Sequence, residues 1–318
     1  MTRPGTPAPE HTSIFPDARP RKAIPPTRDR LQSRLLVWVA IPGLLYLAYQ
    51  ATRYAAIARH SGRVYLSMAL AISIFFALAA WRLKAATVLA AVCGGLICFS
   101  ITILSGRPDG PSPFHSGLAP LIVLFALTHE ATRLGRERKA THALAEDRKG
   151  RNAAQVIANL GGAAWASAST YSIFRHPPHG WQGPYIAAAF QVSMLAALAE
   201  ATADTVSSEI GQAFGGTPFM LTTLRRVAPG TDGAISLKGT VAGIASAAIV
   251  ALVGIPALGM ELHQCMIIVV AAVAGLFFDS LLGATLEHKG WIGNDFVNFA
   301  STLFAVIVAS TLNPIVLG

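Results

Sequence analysis

The chain has 318 residues, with 25 Lys and Arg against 16 Asp and Glu, a formal charge of +9. Hydrophobic residues make up 53% and charged residues 13%, against about 25% charged in a typical soluble domain. This composition excludes an ordinary water-soluble enzyme and disorder over the whole length, and fits a protein whose solvent over much of its surface is lipid. The three cysteines, Cys93, Cys98 and Cys265, lie in or beside apolar runs without metal-ligand spacing. They read as small packing residues, not as a disulfide framework.

Residues 1–34 hold seven prolines and seven Lys/Arg and little apolar periodicity, which predicts a disordered basic cytoplasmic tail. No short apolar stretch with a small-residue cleavage site follows these charges, so a signal peptide is not expected. Apolar runs then occupy residues 35–59, 64–82, 85–105, 117–133, 153–174, 184–203, 234–256, 265–285 and 296–316, judged against about 20 residues per crossing. They predict an all-α polytopic integral membrane helix bundle of about nine transmembrane helices, with seven to nine admissible. Period-two alternation is absent, which argues against a β-barrel. The basic tail and the seven Lys/Arg of residues 133–151 place the N-terminus and that loop on the cytoplasmic side, and with them the loop 204–233. Arg53, Arg59 and Arg63 between the first two runs oppose this assignment. The basic charge also implies affinity for anionic membrane lipids. Without interleaved aromatics or a binding module, no nucleic-acid partner is expected.

Polar residues inside apolar runs mark function by default, because they are costly in lipid. Asn152, Gln155 and Asn159 share one helical face at the start of the fifth run. Interhelical hydrogen bonding would explain that stripe equally well. Glu200 and Asp204 are four apart and Glu209 follows on an adjoining face. Oxygen-only donors of this kind suit Mg²⁺, with Asp204 and Glu209 the expected ligands, although a solvated helix end is the plainer alternative. A Gly- and Thr-rich stretch with basic residues comes next: Arg225, Arg226, Gly230, Thr231, Ser236, Lys238, Gly239 and Thr240. Glycines allow backbone amides close to an anion, arginines bind phosphate oxygens, and a helix beginning near Gly233 or Ser236 offers free N–H groups. Carboxylates followed by this stretch predict a nucleotide or pyrophosphate site, though not a P-loop. A flexible loop with ordinary positive-inside arginines is the alternative. Asp279, Ser280, Gly283 and Glu287 form a third cluster, and Asn294, Asp295 and Asn298 open the last run on one face. All three clusters are expected to converge toward the cytoplasmic side, with His129 and Glu130 nearby.

Four strings carry a resemblance: R-N-A-A-Q-V-I-A-N from Arg151, A-D-T-V-S-S-E-I-G from Ala203, P-G-T-D-G-A-I-S-L-K-G-T from Pro229 and D-S-L-L-G-A-T from Asp279. In this order they resemble the integral membrane family called domain of unknown function 92, which includes plant phytyl-phosphate kinase and animal transmembrane protein 19. The chain departs from the family pattern at Leu160, where glycine is usual, and at Val206–Ser207, where tryptophan is usual. The resemblance divides the chain into the tail 1–34, N-terminal membrane helices 35–82, and a family membrane domain 83–318 with cytoplasmic loops 133–151 and 204–233. Asp204, Gly211, Gly215, Ser236, Gly239 and Thr240 are more distantly similar to CTP-dependent polyprenol kinases and CDP-lipid synthases.

The resemblance implies transfer of a phosphoryl group from a nucleoside triphosphate, CTP or ATP, to a phytyl or polyprenyl monophosphate, giving the diphosphate in a Mg²⁺-dependent reaction. In that reading Asp204, Glu209 and Asp279 are catalytic, and the residues from Arg225 to Thr240 named above bind phosphate. Asn152, Gln155, Asn159, Glu200, Ser280, Asn294 and Asn298 then line a polar site at the cytoplasmic face of the cell membrane. A transporter or flippase of a phosphorylated lipid and a CTP-dependent cytidylyltransferase are the rival expectations.

Overall fold

The computed structural model describes residues 24–57, 59–106, 112–136, 150–175 and 183–313. Residues 1–23 of the expected tail, 137–149 of the expected basic loop and the end of the ninth apolar run lie outside the described residues.

Nine α-helices occupy the described residues, one for each apolar run. They are α1 (Pro26–Ile57), α2 (Arg59–Arg82), α3 (Val88–Leu104), α4 (Leu118–Arg133), α5 (Ala153–Arg175), α6 (Gly183–Phe214), α7 (Leu237–Leu258), α8 (Leu262–Leu282) and α9 (Asn294–Leu312). Five of them, α1, α2, α7, α8 and α9, contain segments long and apolar enough to cross a membrane. In hydrocarbon each backbone polar group must be satisfied within its own segment, which favours helices throughout. The hydroxyls follow the same rule. Ser73, Ser100, Thr102 and Thr202 each donate to the carbonyl four residues back, at 2.7–2.8 Å. Large apolar side chains such as Trp38, Val39 and Phe75 point outward, where lipid replaces water.

α6 is the central helix. Val192, Met194, Leu195 and Leu198 are fully buried, and α4, α5, α7, α8 and α9 pack around it. A helix wrapped by others does not need to be apolar toward lipid, and α6 uses that freedom to carry Glu200, Asp204 and Glu209. It runs through to Phe214, so the loop expected over 204–233 begins instead at Gly215. The helix stops where two glycines follow, the second with φ +71°. The connection to α7 then folds into a small hairpin, β1 (Phe219–Met220) against β2 (Ala234–Ile235), antiparallel with Phe219 opposite Ile235.

α1 begins at Pro26, so residues 26–34 are helix and not tail. Proline is favoured in a first turn, and Asp29 there complements the helix dipole. The early turns also have a tertiary partner in the connection between α8 and α9. Arg28 Nη1 donates to Gly290 O at 3.2 Å and Gln32 Nε2 to Trp291 O at 3.0 Å. Gly293 N donates to Gln32 Oε1 at 2.8 Å, and Ser33 Oγ to Asp295 Oδ2 at 2.6 Å.

α6 and α7 cross at a stripe of small residues. A Cβ on Gly239 would lie 2.5 Å from Ser207 O, and one on Gly243 would lie 2.9 Å from Ala203 O. Gly239→Ala is therefore expected to destabilise the protein by about 1–3 kcal/mol, read as a lower thermal midpoint in detergent. Gly161→Ala, whose new Cβ would come no nearer than 3.8 Å to Ile157 Cγ2, should hold or raise the midpoint.

Candidate phosphate and metal site

A cavity of about 310 Å³ lies where α5, α7 and α9 begin and where α6 and α8 end. α5 contributes Gln155 and Asn159, and α6 contributes the stretch from Asp204 to Gln212. α8 supplies Leu276, Asp279 and Ser280, α9 supplies Asn294 and Asn298, and the loop Pro229–Ser236 closes the remaining side.

Local sequence explains each wall. Asn152 and Gln155 form a reciprocal cap on α5: Gln155 N donates to Asn152 Oδ1 at 3.0 Å, and Asn152 N to Gln155 Oε1 at 2.8 Å. Ser236 caps α7 by accepting from Gly239 N at 3.2 Å. After α8 the helix widens into one π-turn, Gly283–Glu287, which brings Glu287 into the lining. π-turns are frequent at functional sites. Here the turn lies against the closing loop. A Cβ on Gly283 would be 2.7 Å from Gly233 N, and Gly233 itself has φ +73°.

Arg151 is the cation that the sequence reading left outside the site. The turn between α2 and α3 holds it in place: Arg151 N donates to Ala85 O and Thr87 N donates to Arg151 O, both at 2.9 Å. Gly150 permits this approach with φ +73°, where a Cβ would come within 2.5 Å of Lys84 O. The side chain then enters the cavity and donates through Nη2 to Thr205 Oγ1 at 3.3 Å, with its charge facing Asp204. The only local sign of this role was its place as first residue of the R-N-A-A-Q string.

The lining is strongly acidic. Among the described residues Asp204, Glu209, Asp232, Asp279 and Glu287 line the cavity, against Arg151 as the single Lys or Arg. Glu200 lies one turn deeper on α6, 1% exposed, and accepts from Thr302 Oγ1 at 2.8 Å. Yet α5, α7 and α9 all aim their N-terminal, positive ends at this space, an arrangement that favours anions. One cavity thus offers oxygen donors for a cation and dipole ends for a phosphate.

Of the residues expected from sequence, Asp204, Glu209, Asp279, Gly230, Thr231, Ser236, Gln155, Asn159, Ser280, Asn294 and Asn298 meet in the lining. Asn152 is outside it, occupied in the helix cap. Arg225 and Arg226 are exposed beside the hairpin, and Lys238 is exposed on the first turn of α7. None of the three lines the cavity, and neither does Thr240. Gly239 is spent on the α6–α7 crossing. Sequence order placed the arginines near the glycines, but the hairpin turns them away. His129 stacks on Phe125, with ring centroids 5.8 Å apart, and is not part of the lining.

Among the described residues, no group of three or more His, Cys, Asp or Glu converges to hold a metal alone. The donor set does fit a hard cation completed by substrate phosphates, since Mg²⁺ is usually bound by one or two carboxylates plus phosphate. Asp279 Oδ2, buried and without a hydrogen-bond partner, is the kind of oxygen such a cation would satisfy.

The family described as integral membrane protein DUF92 matches residues 71–306. The chain belongs to this family. It is an integral membrane protein, and the match begins inside α2, so α1 lies outside it. The uncharacterized membrane protein sll0875 of Synechocystis is 30% identical over 194 residues, 61% of this chain and 72% of that protein. The chloroplastic protein VTE6 of Arabidopsis thaliana is 28% identical over 207 residues, 64% of this chain and 60% of its own length. The uncharacterized membrane protein MJ0933 of Methanocaldococcus jannaschii is 36% identical over 117 residues, 37% of this chain and 49% of its own length. No solved structure matches the chain.

If phosphate binds beside Arg151, Arg151→Gln should weaken binding of Mg²⁺–pyrophosphate by about 10-fold or more, the scale of one lost charge-assisted hydrogen bond. The double variant Arg225→Gln/Arg226→Gln should leave it unchanged. Calorimetry on protein in detergent reads both.

Proposed function

We propose that this protein is a prenyl-phosphate kinase: it transfers the terminal phosphoryl group of CTP or ATP to an isoprenoid monophosphate, making the lipid diphosphate. One observation carries the reading. A single cavity at the end of a membrane bundle combines clustered carboxylates, one guanidinium and three converging helix N-termini. The family resemblance supplies the phytyl or polyprenyl substrate class.

Phosphoryl transfer asks mainly for positioning and charge neutralisation. A phosphate monoester, with its second pKa near about 6, is largely dianionic at neutral pH and needs no strong base to attack. An oxygen of the lipid phosphate forms the new P–O bond as the bond to the nucleoside diphosphate breaks. Arg151 and the first turns of α5, α7 and α9 offset charge on the phosphates. Gly230 and Thr231 in the closing loop supply backbone near them. Mg²⁺, when bound, neutralises charge on the transferring group, and Asp204 and Glu209 would hold it while Asp279 faces the same space. The prenyl tail would lie between helices, in lipid.

The membrane side follows from charge. Arg28 and Arg30 open α1, Arg82 and Lys84 follow α2, Arg133 and Arg136 follow α4, and Arg151 precedes α5. All lie at the cavity end and outnumber Arg53, Arg59 and Arg63 at the opposite end of α1 and α2, so the positive-inside rule makes the cavity end cytoplasmic. Arg225, Arg226 and Lys238, exposed at the same end, suit anionic headgroups.

Purified protein in detergent, given Mg²⁺ and γ-labelled CTP or ATP with phytyl, geranylgeranyl or farnesyl monophosphate, should place label in a lipid diphosphate. Asp204→Asn should lower turnover at least about 100-fold while keeping the wild-type elution profile and thermal midpoint. Full activity in that variant would remove Asp204 from the mechanism. Folded wild-type protein that transfers no label from either donor would refute the kinase reading.

A further inference from the structure

We propose that Glu200 and Asp279 form a divalent-cation site beneath the phosphate cavity, deeper than the Asp204–Glu209 pair and filled before any nucleotide arrives. Two buried oxygens point to this site. Glu200 is 1% exposed; its Oε2 accepts from Thr302, but its Oε1 has no partner. Asp279 Oδ2 is equally inaccessible and equally unpartnered. A buried carboxylate oxygen without a donor is among the costlier things a fold can contain, and the charges of Asp204 and then Glu200 add repulsion at Asp279.

The packing puts them together. Gly275 sits on α8 where a Cβ would come within 2.5 Å of Glu200 Cγ, so the glycine opens the groove through which Glu200 crosses α8. Asp279 is one turn further along the same face of α8, and Asp204 one turn further along α6. The charged groups facing this pair are Asp204 on α6 and Glu287 on the π-turn, both negative. Arg151 faces Asp204 and spends a hydrogen bond on Thr205. On α9, Ser301 and Thr302 offer only hydroxyls. Two carboxylates, with hydroxyls beside them, are hard-oxygen donors that suit Mg²⁺ or Mn²⁺ and not a soft metal. A divalent ion neutralises the pair outright, and Thr302 orients the deeper ligand as an outer-sphere partner does. The site does not depend on the reaction: it would serve a kinase and a carrier alike.

The test uses full-length protein in detergent, free of nucleotide and lipid phosphate, titrated with Mn²⁺ and followed by the EPR signal of the free ion. Wild type should bind one Mn²⁺, displaced by Mg²⁺ and not by Na⁺, with a rise in thermal midpoint. Glu200→Gln should lose the binding and the rise. Its ion-free midpoint should match or exceed that of wild type, because a buried charge has been removed. Thr302→Val, which leaves both carboxylates in place, should weaken Mn²⁺ by about 10-fold and keeps the proposal testable if Glu200→Gln fails to fold. Glu261→Gln, an exposed carboxylate at the opposite end of α8, should bind as wild type does. Absence of Mn²⁺ binding in wild type, or wild-type affinity in Glu200→Gln or Thr302→Val, would each overturn it. None of these readouts involves phosphoryl transfer, so they stand or fall apart from the kinase assay.

Discussion

Carboxylates inside a lipid-embedded bundle are the constraint on which the rest of this structure depends. Glu200, Asp204 and Asp279 lie on apolar helices, and no such group is tolerated against hydrocarbon. The solution is positional. α6 is placed at the centre, shielded by five other helices, and its polar length is turned toward an internal cavity. Close approach of the neighbours requires small residues, and Gly239, Gly243 and Gly275 sit at the contacts where a Cβ would collide. The fold is thus arranged around its most expensive residues, and the apolar helices with the longest uninterrupted runs are left to face lipid.

The same economy sorts the positive charges. One guanidinium is brought into the cavity, and it takes a backbone bridge between distant segments and a left-handed glycine at position 150 to put it there. Arg225, Arg226 and Lys238 stay exposed outside the cavity, beside the hairpin and on the first turn of α7. The other positive character inside comes from helix N-termini, which carry partial charge without a mobile side chain. α1 adds a brace: its early turns hold the connection that begins α9, whose Asn294 and Asn298 form one wall.

The helices were legible because membrane spans are long and compositionally uniform, so each of the nine apolar runs marks one helix among the described residues. The ends were less legible. α6 outruns its apolar run because burial in the bundle, and not hydropathy, lets it continue through Asp204 and Glu209. α1 starts early because Gln32 and Ser33 bond to residues some 260 positions away, a contact that no local pattern encodes. Helical periodicity puts Gln155 with Asn159, and Asn294 with Asn298, and all four line the cavity. Asn152, on the same face, caps α5 and lies outside the lining, since a capping residue and a lining residue look alike in a string. The arginines at 225 and 226 show the limit of adjacency. A two-residue ladder between Phe219 and Ile235 is invisible in composition, yet it decides which way they face. Arg151, by contrast, was read as topology because its partners, Ala85 and Thr87, belong to a turn some 65 residues upstream.

A phosphate ligand in a cavity this acidic would need a cation to offset the repulsion. Five carboxylates repel a bare triphosphate, while a metal-complexed one meets ligands for its metal and dipole ends for its oxygens. The most direct measurement is therefore nucleotide binding to the purified wild-type protein by calorimetry, with Mg²⁺ and again with EDTA in its place. The account predicts saturable binding of CTP or ATP with Mg²⁺ and none without it. Equal affinity in the two conditions would contradict it, because the carboxylates would then have no part in holding the phosphates.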